Sequence, residues 1–387
     1  MSTRSISILG ATGSIGTSTL DLIEREPERY EVVALTANRD VPGLAQAARR
    51  TGAKFAAIGE ASLAGDLRDA LAGSGIASAG GAEAVADAAA MESDWTMAAI
   101  VGIAGLRPTM AALRRGRAVA LANKESLVSA GPVMLGAVKD SGARMLPVDS
   151  EHNAIYQCFD HEDPRRVAKV VLTASGGPFR TLSRAEMARM TPAQAVKHPN
   201  WSMGAKISVD SATLMNKGLE LIEAHHLFPI GADRFEILVH PQSVVHSMVE
   251  YVDGSVLAQL GTPDMRTPIA HTLAWPERMQ TPCARLDLAA IGRLDFEAPD
   301  PERFPALDLA RAALTAGGAR PAILNAANEA AVAAFLAGRI GFLDIVFIVG
   351  KVLDRYDPPA PISLEDVIEI DAHARDIAHQ AMGVLAA

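Results

Sequence analysis

Cysteine, long apolar runs and an excess of positive charge are all missing from this sequence. Cys158 and Cys283 are the only 2 cysteines in 387 residues, and their separation fits no metal or redox motif, so we expect reduced thiols in a cytoplasmic protein. The most apolar stretch, residues 97–106, is too short for a transmembrane helix, which needs about 20 residues. The sequence opens on an apolar strand pattern without a secretory core, so we expect a soluble protein.

The charge balance limits the partners of the chain. Its 36 Lys and Arg residues and 45 Asp and Glu residues give a formal net charge of −9. This sign disfavours nucleic acids and anionic membranes as general partners. A phosphorylated substrate must therefore be held by local hydrogen-bond donors. With 49% hydrophobic and 21% charged residues, the composition is that of a globular protein with room for two or three domains.

Apolar runs and helical patterns alternate in the first 150 residues. SISILG, YEVVALTA, KFAAIG, MAAIVG, RAVALAN and ARMLPVD have the composition of buried strands, and helical patterns such as GTSTLDLIERE lie between most of them. We interpret the Ala-rich segment 79–90 as a helix and not as a linker. The alternation predicts an α/β fold that begins with a Rossmann-like, doubly wound parallel sheet.

After residue 150 the pattern changes. AKVVLTAS and residues 235–261 indicate longer strands, the latter interrupted by the turn signal VDGS. Residues 275–305 are rich in proline and charge, and helical patterns follow them. The predicted division is a Rossmann-like domain at 1–149, an α+β domain at 150–276, a connecting segment at 277–308 and a helical domain at 309–387.

Three glycines, Gly10, Gly13 and Gly16, follow the first strand in the motif GATGSIG. Glycines at this point let the N–H groups of a helix N-terminus approach a pyrophosphate. The spacing differs from the strict G-x-G-x-x-G, and a plain glycine-rich turn is the alternative. The strand-to-helix context favours dinucleotide binding.

The end of the second strand indicates which dinucleotide is bound. Asn38 and Arg39 stand where NAD enzymes usually hold the ribose hydroxyls with an acidic residue. A basic group suits a 2′-phosphate, so NADP is preferred over NAD. Asp40 would oppose that phosphate if both side chains pointed the same way, and a solvated loop arginine is the alternative role for Arg39.

Two later strands also end in polar side chains. Asn123, Lys124 and Glu125 lie in LANKESL, and Asp149 and Glu151 lie in PVDSEH. Ligands of doubly wound sheets lie beyond the carboxyl ends of the strands. Because residues i and i+2 of an extended strand project to one side, the two carboxylates should converge and suit Mg²⁺ or Mn²⁺. Solvated surface groups are the alternative for both segments.

The segment VDSATLMNKGLELIEAHH carries more polar groups. A helix starting near Ser211 would place Asn216 and Glu220 on one face, with Glu223 three residues further along. Either glutamate would complete a metal site, and spacing does not choose between them. Asn216 and Lys217 are candidate phosphate donors. An amphipathic helix with its charges in water is the alternative.

Two loops have functional compositions. In TASGGPF, Ser175 with Gly176 and Gly177 is typical of a phosphate nest. In KHPNWSMG, Trp201 lies between a proline and a glycine, as in a mobile lid that covers a ligand and excludes water. A surface turn anchored by one tryptophan is the alternative.

Taken together and in this order, these segments resemble the 1-deoxy-D-xylulose 5-phosphate reductoisomerase family. GATGSIG, LANKESL, PVDSEHNAI, SGGPF, HPNWSMG, SVDSATLMNKGLE, HPQSVVHSMV and LGTPDMRTPIAHTLAWP all look like its signature blocks. They extend from residue 6 to about residue 276, and the helical tail also fits. No single block is decisive, but the ordered set is highly specific.

The resemblance assigns roles that spacing leaves open. It implies a divalent metal on Asp149, Glu151 and Glu220, which selects Glu220 over Glu223. The implied substrate contacts are Lys124 and Ser150 to the ketol oxygens, and Ser175, Ser211, Asn216 and Lys217 to the phosphate, with His198 nearby and Trp201 as the lid. The cofactor residues, those of the glycine loop and the second strand end included, are Gly10, Thr12, Gly13, Ser14, Ile15, Asn38, Arg39, Asp40, Asn123, Glu125 and Gly204.

The reaction that the resemblance implies converts 1-deoxy-D-xylulose 5-phosphate to 2-C-methyl-D-erythritol 4-phosphate, in the non-mevalonate route to isoprenoids. A skeletal rearrangement gives a branched aldehyde that NADPH reduces, and Mg²⁺, Mn²⁺ or Co²⁺ polarises the substrate oxygens. The family expectation is a homodimer.

Two rival functions differ in their use of the site. One is a simple NADP-dependent dehydrogenase of a phosphorylated hydroxy-carbonyl compound, and the other is a non-catalytic NADP-sensing protein. A carboxylate trio, a phosphate-binding set and a lid together favour catalysis, because a sensor has little use for all three.

Overall fold

Strands and helices alternate along the chain in the computed structural model, which describes residues 3–201 and 203–385. The strands are β1 (Arg4–Leu9), β2 (Tyr30–Ala37), β3 (Phe55–Ile58), β4 (Ala77–Gly80), β5 (Trp95–Ala98), β6 (Ala118–Leu121), β7 (Arg144–Pro147), β8 (Val167–Ala174), β9 (Phe235–Val239), β10 (Val245–Tyr251) and β11 (Val256–Leu260). The α-helices are α1 (Ser14–Glu24), α2 (Val41–Thr51), α3 (Ala64–Ala70), α4 (Ala82–Ala90), α5 (Leu106–Leu113), α6 (Lys124–Ser141), α7 (Ser150–Cys158), α8 (Arg184–Met187), α9 (Pro192–Ala195), α10 (Ala205–Thr213), α11 (Met215–Leu227), α12 (Arg266–Ala274), α13 (Leu288–Ile291), α14 (Ala306–Ala316), α15 (Arg320–Leu336), α16 (Asp344–Arg355) and α17 (Leu364–Leu385).

The chain divides into two compact units. The first contains the residues up to Ser126, with Met134–Asn153 and Asp264–Cys283. The second contains Leu127–Val133, Ala154–Pro263 and the residues from Ala284 onward. The domain boundaries that we predicted from composition stay a prediction.

The first unit is built on a parallel sheet with the strand order β4-β3-β2-β1-β5-β6-β7. The strand order reverses between β1 and β5, and this switch point is where doubly wound sheets bind ligands. Ile6, Ile8, Leu35 and Trp95 lie in its core with at most 1% of their surface exposed. The predicted Rossmann-like α/β fold is therefore confirmed.

One strand of this sheet was not predicted. The six apolar runs correspond to β1, β2, β3, β5, β6 and β7, but β4 has the sequence ASAG and an exposed or half-buried pattern. As an edge strand it contributes little apolar surface, so it leaves no hydrophobic signal. The adjacent prediction of a helix in segment 79–90 is confirmed by α4.

The second unit contains a four-stranded sheet with the order β11-β10-β8-β9. β8 and β9 run parallel, and β10 is antiparallel to both β8 and β11. The predicted VDGS turn joins β10 to β11. A second break, which we did not predict, separates β9 from β10 at residues 240–244, where Ser243 has a positive φ of 52°.

Helices α14 to α17 supply much of the core of the second unit, as the helical patterns after residue 305 predict. The central helix α15 is buried along most of its length, including the ring of Phe335. Among residues 3–201 and 203–385, no helix is both long enough and apolar enough to cross a membrane.

Candidate active site

The turn after β1 has the geometry that the glycine motif predicts. Gly10 has a φ of +88°, and a Cβ there would lie 2.8 Å from the carbonyl oxygen of Ala99, which follows β5. A Cβ on Gly16 would lie 2.2 Å from the carbonyl oxygen of Gly10. Only glycine fits both positions. Gly13 and Ser14 are exposed at the start of α1, and no side chain caps this helix, so its N-terminus suits a pyrophosphate.

Asp40, which follows the second strand, has a structural role at the start of α2. Its carboxylate caps α2 by accepting a hydrogen bond from the Gly43 N–H at 3.0 Å. Asn38 and Arg39 are exposed beside it. The Asp40 carboxylate is therefore turned toward the amides at the start of α2, where the helix dipole stabilises its negative charge.

Asn123 ties together the loops that follow β5 and β6. Its side-chain oxygen accepts from the Ser126 N–H at 2.9 Å and caps α6, while its amide nitrogen donates to the carbonyl oxygen of Gly102 at 3.0 Å. Lys124, the next residue, is only 5% exposed and forms an ion pair with Asp149. The alternative that Lys124 belongs to a solvated surface pair is therefore wrong.

Asp149 and Glu151 do not lie on an extended strand, contrary to our prediction. β7 ends at Pro147, and Ser150 and Glu151 form the first turn of α7. The two carboxylates nevertheless converge, since one oxygen of each lies within 4.8 Å of the other. The Ser150 hydroxyl donates to the Glu151 carboxylate at 2.5 Å. Convergence at a helix N-terminus thus replaces the convergence expected from a strand.

The pKa of Asp149 shows how this carboxylate stays charged in a buried place. Burial alone would raise its pKa, but the Lys124 ammonium and the His152 imidazole outweigh burial and hold the pKa well below its ordinary value. His152 Nδ1 lies 3.2 Å from Asp149 Oδ1. Our sequence analysis missed His152, although its position three residues after Asp149 is a helical spacing that brings side chains together.

In the second unit, two of the predicted phosphate ligands, Ser175 and Ser211, lie at the turn after β8. Gly176 and Gly177 have φ values of 82° and 67°, as in a backbone nest. The Gly177 N–H donates to Ser175 Oγ at 3.1 Å. A Cβ on Gly177 would lie 2.4 Å from the carbonyl oxygen of Ser211, so this turn packs directly against α10. Ser175, Gly177 and Ser211 therefore form one cluster.

His198 connects the lid segment, residues 197–204, to Ser175. Its Nδ1 accepts from the N–H groups of Asn200 at 3.1 Å and Trp201 at 3.0 Å. The proton of a neutral imidazole must then be on Nε2, which lies 2.8 Å from Ser175 Oγ and donates to it. Because Ser175 Oγ accepts two hydrogen bonds, its own proton is left to donate. The Trp201 ring contacts the His246 ring, with 6.0 Å between the centroids.

Two helices, and not one, carry the last predicted residues. α10 ends at Thr213, Leu214 adopts a positive φ of 59°, and α11 starts at Met215. The predicted common face of Asn216 and Glu220 is confirmed, because the Asn216 amide donates to the Glu220 carboxylate.

Charge is buried along α11. Lys217 also donates to Glu220, and Lys217, Glu220 and Glu223 are at most 3% exposed. The alternative of an amphipathic helix whose charges face water is therefore wrong.

Models of known protein families match most of the chain. The 1-deoxy-D-xylulose 5-phosphate reductoisomerase model matches residues 6–131, and the C-terminal domain model of that enzyme matches residues 145–228. A further model, the DXP reductoisomerase C-terminal domain, matches residues 260–377.

Curated relatives are similar over nearly the whole chain. The 1-deoxy-D-xylulose 5-phosphate reductoisomerase of Zymomonas mobilis is 66% identical over 372 residues, which is 96% of this chain and 96% of the relative. The enzyme of the same name from Rhodospirillum centenum is 60% identical and covers 97% of this chain and 94% of its own.

Solved structures agree with these sequence matches. The Zymomonas mobilis reductoisomerase in complex with NADPH has a TM-score of 0.95 and 63% identity, over 98% of this chain and 99% of its own. A DOX-P reductoisomerase in complex with NADPH, fosmidomycin and magnesium has a TM-score of 0.93 and 44% identity, over 99% of both chains. Matches of this extent, joined to the donor sets of both units, establish that the chain belongs to the 1-deoxy-D-xylulose 5-phosphate reductoisomerase family.

Proposed function

We propose that the chain converts 1-deoxy-D-xylulose 5-phosphate to 2-C-methyl-D-erythritol 4-phosphate, with NADPH and a divalent metal, in isoprenoid biosynthesis. The observation that carries the proposal is full-length identity of 66% to a reductoisomerase, together with buried carboxylates and a hydroxyl-rich nest at the matching motifs. Solved relatives are complexes with NADPH and magnesium. A simple dehydrogenase does not require both donor sets.

The metal ligands in this proposal are Asp149, Glu151 and Glu220. The donors fit a hard cation because all three supply carboxylate oxygen, and Asp149 is held in its charged form by Lys124 and His152. A bound divalent cation would supply Lewis-acid polarisation of the substrate oxygens. Lys124 pairs with Asp149, Ser150 donates to Glu151, and both would orient the ketol oxygens.

The cofactor ligands in this proposal include the glycine loop at the N-terminus of α1. The open first turn of that helix suits the pyrophosphate, and the exposed Arg39 suits a 2′-phosphate. The residues that we assign to the cofactor are Gly10, Thr12, Gly13, Ser14, Ile15, Asn38, Arg39, Asp40, Asn123, Glu125 and Gly204. Asp40 acts here as the cap of α2.

The phosphate ligands come from the second unit. Ser175 donates its hydroxyl proton, oriented by His198, and Ser211, Asn216 and Lys217 supply further donors. Asn216 and Lys217 lie in the first turn of α11, where the helix dipole also favours an anion. Holding the phosphate keeps the substrate in place while its carbon skeleton rearranges, and Trp201 would cover it until hydride transfer is complete.

A homodimer in the cytoplasm is part of the proposal. Val252, Val256 and Leu257 are 50–69% exposed along the edge of the sheet in the second unit. An apolar edge strand of this kind is costly unless another chain covers it. Both cysteines are free thiols, as in a reducing compartment. Sedimentation of the wild type and of Leu257→Lys tests the dimer, which the charged variant should dissociate.

The function is tested by mixing the purified chain with 1-deoxyxylulose 5-phosphate, NADPH and Mg²⁺. We expect NADPH absorbance to fall, EDTA to stop the reaction, and mass spectrometry to detect the branched tetrol phosphate. Reduction of a ready-made hydroxy-aldehyde phosphate without any rearrangement of the ketose would support the simple dehydrogenase instead. NADPH binding with no turnover of either compound would support the sensor.

A further inference from the structure

A buried polar bridge joins α10 to α15 within the second unit. The amide nitrogen of Asn328, on α15, donates to Asp210 Oδ1, on α10, at 2.8 Å. The other carboxylate oxygen of Asp210 lies 2.7 Å from Lys206 Nζ, one turn earlier on α10. Asp210 is 1% exposed and Asn328 is not exposed at all. Such a carboxylate is tolerated in the interior only because these partners compensate its charge.

The bridge constrains how α10 is rotated about its axis. An apolar pair at this contact would pack with less desolvation cost and would accept a range of rotations. The hydrogen bond from Asn328 to Asp210 requires a specific distance and angle between donor and acceptor, so it restricts that rotation. Val209 and Ala212 pack α10 into the core, and the Asp210 contacts add a directional constraint that this apolar packing lacks.

α10 lies between two parts of the proposed site. Its first turn follows the lid segment directly, and Ser211 comes immediately after Asp210. The backbone of Ser211 packs against Gly177 in the turn that carries Ser175. A small rotation of α10 therefore changes the distance between the hydroxyls of Ser211 and Ser175, which must reach the same phosphate.

We propose that Asn328 is a positioning residue, which acts through Asp210 to hold Ser211 and the carboxyl end of the lid segment in register with the phosphate. The inference rests on the proposed phosphate-binding role of Ser211. Asn328 belongs to the helical carboxyl-terminal region, and it lies outside the sequence blocks that carry the family resemblance. A residue of α15 would thus support the phosphate site.

The test compares Asn328→Ala with Asn325→Ala. Asn325 is an equally buried amide one turn earlier on α15, and it donates to Ser129 Oγ and to Glu329. We expect Asn328→Ala to raise the KM for 1-deoxyxylulose 5-phosphate about tenfold, the effect of one misplaced hydrogen bond to a charged group, with little change in kcat or in the KM for NADPH. Asn325→Ala should lower the melting temperature about as much as Asn328→Ala does. It should leave kcat, the KM for 1-deoxyxylulose 5-phosphate and the KM for NADPH unchanged.

A pair of further variants tests the bridge directly and also serves if Asn328→Ala does not fold. Asn328→Asp sets two carboxylates against each other and should raise the substrate KM more than Asn328→Ala does. Adding Asp210→Asn restores an amide–carboxylate hydrogen bond with the roles exchanged, and should return the KM toward the wild-type value. Lys206→Met, at a partly exposed position, should raise the KM less than Asn328→Ala.

Several outcomes would overturn the inference. One is a substrate KM for Asn328→Ala that stays at the wild-type value while the melting temperature falls, which would make the bridge merely structural. Equal KM increases in Asn325→Ala and Asn328→Ala would have the same consequence, as would a double variant that gains nothing over Asn328→Asp. Ser211→Ala distinguishes failure of this inference from failure of the proposed function. An unchanged substrate KM in that variant would refute the phosphate-binding role of Ser211 itself.

Discussion

The two units hold polar and charged groups in different ways. The first unit holds Asp149 and Lys124 as a buried ion pair with His152 alongside, so fixed opposite charges keep a carboxylate ionised where water is scarce. Around Ser175 and Ser211, the second unit instead uses hydroxyls and a backbone nest shaped by two glycines. Fixed charge suits a cation and its chemistry, and oriented dipoles suit a phosphate that must also be released.

This contrast assigns different kinetic effects to the two donor sets. Removing a carboxylate ligand should slow the chemical step, because the cation stabilises charge that develops in the transition state. Removing a phosphate donor should mainly weaken binding, since the phosphate has the same charge before and after the reaction.

The largest effect is expected from the carboxylates. Asp149→Asn and Glu220→Gln should each lower kcat about a thousandfold, as loss of a major electrostatic group does. Steady-state kinetics with saturating NADPH and Mg²⁺ measure this. Glu236→Gln, which removes one partner of an exposed ion pair with Lys169, is the control and should retain wild-type kcat. A drop in Asp149→Asn of less than tenfold would contradict the assignment.

The next effect concerns a half-buried imidazole of the second unit. Burial, with a contribution from His225, lowers the pKa of His226 to about 4. Below the unfolded value of about 6.5, the unfolded chain takes up the proton first, so the free energy of unfolding falls as pH decreases from about 6.5 to about 4. The loss is on the order of 3 kcal/mol for this one group.

Urea unfolding of the wild type and of His226→Gln across this range measures the loss. The variant should show a shallower fall in stability with decreasing pH, and His161→Gln, at an exposed position, should follow the wild type. Identical pH slopes for the wild type and His226→Gln would show that His226 is not held neutral in the folded chain.

A smaller effect distinguishes the glycine nest from an ordinary helix end. Gly177 and Gly142 both have positive φ values, of 67° and 72°, but a Cβ would meet the Ser211 carbonyl oxygen at 2.4 Å in the first and nothing within 4 Å in the second. Gly142→Ala should cost about 1 kcal/mol through its backbone strain alone. Gly177→Ala should cost about 2 kcal/mol more, because the steric clash is added.

Chemical denaturation measures the loss of unfolding free energy in both variants. Steady-state kinetics of the same variants shows whether the substitution also affects substrate binding. Gly177→Ala should also raise the substrate KM, whereas Gly142→Ala should not. Equal losses of unfolding free energy in the two variants would contradict this prediction. They would mean that the turn after β8 can move away from α10 and is less rigid than its close contact with Ser211 indicates.

The smallest effect is expected from a single phosphate donor. Ser211→Ala should raise the KM for 1-deoxyxylulose 5-phosphate about tenfold, one hydrogen bond to a charged group, and change kcat by less than about threefold. Thr315→Ala, which removes a hydroxyl bonded to the Arg311 carbonyl on α14, is the matched control. A kcat that falls together with an unchanged KM would refute the division of tasks between the carboxylates and the phosphate donors.

Sequence patterns predict these two regions unequally. The parallel sheet, its glycine turn and the positions of Lys124 and Asp149 follow from hydrophobic period and from the rule that ligands lie at strand ends. The predicted extended backbone at Glu151 was still wrong, because the SEH sequence forms the start of a helix. A spacing of two residues between carboxylates does not distinguish a helix start from a strand.

The second unit was harder to predict because its key interactions are long-range or depend on single backbone angles. The break at Leu214 leaves no hydrophobic signal, and neither does the pairing of Asp210 with Asn328, which are 118 residues apart. Spacing alone left Glu220 and Glu223 equivalent, and the family resemblance was needed to choose between them. Turn chemistry did predict a glycine turn after Ser175, since glycine adopts positive φ values without strain, and its binding of a phosphate stays a prediction.

The central claim, that the carboxylates bind the metal and the hydroxyl of Ser211 does not, is tested most directly by Mn²⁺ binding followed by electron paramagnetic resonance. The purified wild type, Asp149→Asn, Glu220→Gln and Ser211→Ala would be titrated with Mn²⁺ without substrate. The account predicts that Ser211→Ala binds Mn²⁺ as the wild type does, and that both carboxylate variants lose the bound-metal signal. Wild-type Mn²⁺ affinity in Glu220→Gln, or its loss in Ser211→Ala, would contradict it.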